Sequence, residues 1–85
     1  MVFAPEIVTE TAVLAAVHDQ SPTKAFPILR KGEVFKRLVA SLGIEIRPPL
    51  NSLTTRQVRD VQIPEPYSGL ASRLTHKAIR RFGVG

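Results

Sequence analysis

The chain has 85 residues, no Cys and no Trp, and a formal net charge of +5 from 12 Lys and Arg against 7 Asp and Glu. One small domain is expected, burying little more than about 60% of the surface its unfolded chain exposes, and the lack of Cys excludes disulfides and thiolate metal sites while favouring a reducing compartment. No apolar run reaches the roughly 18 to 20 residues that cross a bilayer, and Glu6 and Glu10 stand where a secretory or transit segment carries Lys or Arg, so a soluble, unprocessed intracellular protein, cytoplasmic or nucleoid-associated, is expected.

The charge is unevenly spread. Residues 1–23 hold Glu6, Glu10 and Asp19 and no Lys or Arg, whereas residues 67–85 hold Arg73, Lys77, Arg80 and Arg81 and no acid. Clustered positive charge raises the local concentration of anions, so an anionic partner at the C-terminal end is indicated.

Residues 5–19 are read as a helix, with Pro5 in a tolerated first-turn position and acids near the positive end of the dipole. Ile7, Val8 and the run Ala12 to Val17 cover most of its circumference, which suits either the centre of a core or half of an interface. Ile7, Val13, Leu14 and Val17 are the candidate face for a protein partner. The β-branched content leaves a strand over Ala12 to Val17 as the alternative.

Pro22 forces Ser21 out of helical geometry, so residues 19–24 form a break. Its Ser21-Pro22-Thr23-Lys24 resembles a proline-directed phosphorylation site or a minor-groove tetrad, but four residues of this composition are ordinary in loops. Phe26-Pro27-Ile28-Leu29 reads as an extended connector or edge strand, since Pro27 excludes a central strand.

Residues 33–42 form a clean amphipathic pattern, with Val34, Phe35, Leu38, Val39 and Leu42 on one face, Glu33 and Arg37 one turn apart, and Gly32 and Gly43 at the ends. A hairpin turning at Lys31-Gly32 is the competing reading. Ile44 to Arg47 alternates apolar and charged residues like a short strand, stopped by Pro48-Pro49; its one partner in reach is the Phe26 to Leu29 segment. Thr54 and Gln57 have capping-box spacing, predicting a helix to about Gln62 that buries Leu53, Val58 and Val61 and exposes Arg56, Arg59 and Asp60. Ile63 to Pro66 is a stiff extended connector.

Tyr67 to Gly83 reads as a basic helix, capped by Ser68 and ended by a left-handed Gly83. With residues about 100° apart, Ala71, Leu74, Ala78, Ile79 and Phe82 share one arc and Arg73, His76, Lys77 and Arg80 the opposite one, with Arg81 flanking.

Catalytic constellations are absent: no His pair at metal spacing, no Gly-rich phosphate loop and no nucleophile elbow. No enzyme activity, metal or cofactor is expected. His18 reads as a cap on the last carbonyls of the first helix.

The expectation is therefore a mainly α domain of three or four helices with at most a two-stranded ribbon, binding nucleic acid, duplex DNA ahead of RNA. A helix-turn-helix-like arrangement would set the C-terminal helix in the major groove through Arg73, His76, Lys77, Arg80 and Arg81, with Arg56 and Arg59 on phosphates. The connector is long for that motif, which usually turns in three or four residues. RNA is less favoured because Tyr67 and Phe82 are too few to make a stacking platform. A non-enzymatic interaction subunit of a larger protein or ribonucleoprotein assembly is the alternative. Membrane-surface binding through Gly69 to Phe82 is a third reading, weakened by an alanine-diluted apolar face.

Overall fold

A computed structural model describes residues 7–47, 54–65 and 67–83. Their fold is mainly helical, in the order β1 (Ile7–Thr9), α1 (Glu10–Gln20), α2 (Phe26–Leu29), α3 (Gly32–Ser41), β2 (Glu45–Arg47), α4 (Thr55–Arg59) and α5 (Tyr67–Phe82). The two strands pair in parallel, with Ile7 opposite Glu45, Val8 opposite Ile46 and Thr9 opposite Arg47.

α1 is the centre of the molecule. Ala12 to Val17 are buried without interruption, Val13, Leu14 and Val17 completely, and α2, α4, α5 and β1 all pack against the helix. A helix apolar around its circumference must be covered around its circumference, and here the covering is intramolecular. Val13, Leu14 and Val17 are thus core residues, which corrects their reading as a partner face.

The helix begins at Glu10, five residues later than expected from a start at Pro5. Ile7-Val8-Thr9 are three successive β-branched residues, which fit extended backbone better than a helical first turn, and they find a ladder partner in β2. This moves Ile7 and Val8 from the helix to a strand, while Ala12 to Val17, the segment with the competing strand reading, is helical. Pro5 and Glu6 lie outside the described residues.

Phe26 to Leu29 is a helical turn rather than a connector or edge strand. Pro27 falls in the first turn, where its missing N–H removes no helical hydrogen bond. Ser21 prepares that turn: its Oγ accepts from Ala25 N–H at 3.0 Å and its carbonyl from Phe26 N–H at 3.2 Å. With Ser21 buried and its hydroxyl engaged, a kinase cannot reach it in the folded state. His18 packs edge-on against Phe26, ring centroids 4.7 Å apart and planes at 85°, so α2 rather than the end of α1 takes this ring.

α3 follows the amphipathic pattern and excludes the hairpin, burying Phe35, Leu38 and Val39. Its C-terminus closes with Gly43 at φ 73°, Gly43 N–H on Ala40 O and Ile44 N–H on Val39 O, the two bonds of a Schellman motif. β2 forms at the expected place with a different partner, since α2 is helical and β1 is extended. Pro48 and Pro49 lie outside the described residues.

The α4 capping box is complete. Thr54 Oγ1 accepts from Gln57 N–H at 3.2 Å, and Gln57 Oε1 accepts from Thr54 N–H at 2.9 Å. The helix ends at Arg59, short of Gln62, with Val58 buried, Val61 half-buried and Arg56, Arg59 and Asp60 exposed. Leu53 and Pro66 lie outside the described residues.

Candidate functional site

α5 is held by its apolar side and by its first turn. Ala71, Leu74 and Ala78 are fully buried and Ile79 half-buried, against α1 above all and also α2 and α3. At the start of the helix, Gln20 Nε2 donates to Ser68 O at 2.8 Å and Thr9 N–H to Tyr67 Oη at 3.4 Å, tying α5 to both ends of α1. Ser68 does not cap the helix: its Oγ donates to Glu65 O at 3.1 Å, and Tyr67 already belongs to the first turn. The C-terminal end is as read, with Gly83 at φ 63° and its N–H on Ile79 O at 2.9 Å.

Phe82 corrects the apolar arc at its far end. It lies at the angle of the buried stripe yet is 42% exposed. Thr75, by contrast, is buried.

Arg73, His76, Lys77, Arg80 and Arg81 are all exposed. With residues about 100° apart they occupy one arc of roughly 140°, and Arg73, Lys77 and Arg81 form a single i, i+4 row. α5 contributes no carboxylate to dilute them. Arg80 and Arg81 also sit in the last turn, where positive charge complements the helix dipole.

The row borders α3. Lys77 Nζ donates to Ser41 Oγ at 2.8 Å, and Ser41 Oγ in turn donates to Leu38 O at 2.6 Å. Ser41 closes α3, so the ammonium stands near the negative end of that helix dipole. Beside this contact lies an open depression of about 290 Å³ lined by Leu38, Lys77, Arg80 and Arg81. On α3 itself, Lys36 and Arg37 are exposed, Arg37 one turn before Ser41 on the same face.

The structure therefore joins Lys77, Arg80 and Arg81 to α3, a neighbour that the sequence reading did not supply. Ser41 and Leu38 were missed because their part depends on which helix packs beside them, and no local spacing encodes that. Arg37 was read only as lying one turn from Glu33.

Arg56 and Arg59 are exposed on α4, but α4 and α5 both pack on α1 and make at most marginal contact with one another. The chain between them runs from Asp60 to Pro66. A helix-turn-helix requires two helices in direct contact across a short turn. These two helices are not arranged as that motif, and its recognition geometry does not carry over to α5. Among the described residues, no group of three or more His, Asp or Glu side chains is placed to hold a metal ion, and no helix is long and apolar enough to cross a membrane. The chain matches no family model, no curated protein and no solved structure.

Proposed function

We propose that this protein binds nucleic acid, duplex DNA ahead of RNA, by laying the exposed basic face of α5 along the phosphate backbone. The observation that supports the reading is the single arc of Arg73, His76, Lys77, Arg80 and Arg81 on a helix anchored from its opposite side. Cations held on a rigid element release counterions on binding without first having to order the chain that carries them. Contact is by one helix edge-on to phosphates, not by a helix-turn-helix, so sequence preference is weak. Base stacking contributes little: Tyr67 is half-buried and holds Thr9, leaving Phe82 as the one exposed Phe or Tyr among the described residues. The protein acts by binding and not by catalysis, in a compartment where nucleic acid is accessible.

The test is a fluorescence-anisotropy titration of a labelled duplex against wild type and Arg73→Ala, Lys77→Ala. Each lost phosphate contact lowers affinity by about threefold to tenfold at low salt and leaves the circular-dichroism melting curve in place. Equal affinity of the variants and wild type refutes the reading.

A further inference from the structure

We infer that the depression between the end of α3 and the last turns of α5 is a seat for one phosphate ester; this rests on and sharpens the nucleic-acid reading. Three cationic side chains converge on one small volume there, and they come from successive turns of one anchored helix: Lys77, Arg80 and Arg81. Its volume of about 290 Å³ lies just below the roughly 300–1,000 Å³ range of small-molecule sites. A single phosphate with its sugar fits such a space, and a larger ligand would stand out into solvent.

The Lys77 ammonium is not free to wander over this opening. One of its three N–H donors is directed to Ser41 Oγ, and that hydroxyl is itself fixed on Leu38 O, leaving two donors for a ligand. Ser41 is thus a positioning residue: it accepts from Lys77 while its own proton is committed to the backbone. The guanidinium groups of Arg80 and Arg81 add planar forks suited to two phosphate oxygens at once. Leu38, 1% exposed, forms the floor of the depression from within the core, so the ligand is met by the three cationic side chains.

Such a seat recognises the phosphate ester itself, whether an internal diester of a polynucleotide, a terminal monoester or a free mononucleotide. The experiment is a ¹H–¹⁵N titration of the intact chain with inorganic phosphate, a short oligonucleotide with and without a 5′-phosphate, and a duplex. Saturable shifts centred on the amides of Ser41, Lys77, Arg80 and Arg81 are expected with each phosphate-bearing ligand. A preference for the 5′-phosphorylated oligonucleotide identifies a terminal monoester as the ligand, and equal affinity for the two identifies the internal diester. Ser41→Ala weakens binding by about threefold and Lys77→Met by about tenfold, with unchanged melting temperatures. Lys77→Arg, which keeps the charge and loses the ammonium geometry, falls between wild type and Lys77→Met.

Shifts that spread along α5 without saturating, or Ser41→Ala binding as wild type does, overturn the seat. If the duplex still binds in that case, the nucleic-acid reading stands without it. If inorganic phosphate saturates the seat and no polynucleotide binds, the seat stands and the nucleic-acid reading falls.

Discussion

The two glycines Gly43 and Gly69 have the same open surroundings, and an added Cβ meets nothing within 4 Å at either position. They differ in backbone. Gly43 lies at φ +73° and closes the Schellman motif of α3, where an L side chain clashes with its own carbonyl. Gly69 is in the first turns of α5 with ordinary helical backbone. Gly43→Ala should therefore destabilise by about 1 kcal/mol, while Gly69→Ala should stabilise by about 0.4–1 kcal/mol by restricting the unfolded chain. Urea denaturation of both variants checks the pair, and shifts of the same sign would show that backbone conformation is not what separates them. Gly69 lies two turns before Lys77 on α5, so Gly69→Ala should not change affinity for a polyanion.

At the scale of elements, what was legible in the sequence is what local chemistry decides alone. The α3 stripe, the Thr54–Gln57 box and the Gly83 terminus each carry their cause within a few residues, and each forms. Elements decided by a distant partner were not legible. Ile7-Val8-Thr9 become a strand because Glu45 to Arg47 lie beside them, and Phe26 to Leu29 coil because Ser21 anchors the turn before them. The β-branched signal in the N-terminal segment was real, but it belonged to residues 7–9 and not to the buried run that follows. That run makes α1 the element on which the fold depends. Leu14→Ala removes a fully buried side chain and should cost about 2–5 kcal/mol, against a total of about 4–13 kcal/mol for a domain of this size. Leu14→Asp should leave the chain unfolded at 25 °C, as circular dichroism would show. A folded Leu14→Asp monomer would return α1 to the role of an interface helix.

For the molecule as a whole, the basic α5 face was legible because helical periodicity places it without reference to anything else, whereas its neighbourhood was not. Whether Arg56 and Arg59 belong to the same binding surface turns on the relative placement of two helices that share α1 and not each other. Salt dependence resolves this, since the slope of log K against log salt counts phosphates at about −0.9 each for duplex DNA. If Arg73 and the seat of Lys77, Arg80 and Arg81 alone make contact, two phosphates are met and the slope should approach about −1.8, a loss of about 12-fold between 50 and 200 mM salt. With Arg56 and Arg59 included it should approach about −3.6, a loss of about 150-fold over the same range. The first value is expected, because α4 and α5 both pack on α1 and make at most marginal contact with one another. The double variant Arg56→Ala, Arg59→Ala should accordingly keep the wild-type slope, while Arg80→Ala, Arg81→Ala, which takes two of its three cations from the seat, should reduce it by up to about 0.9. At physiological salt the remaining affinity should fall in the range of non-specific binding, with Kd about 10⁻⁴–10⁻⁶ M and little difference between duplex sequences. A slope near −3.6 that drops when the α4 arginines are removed would instead make the interface a two-helix surface spanning α1, and a slope near zero would deny phosphate contact to α5 altogether.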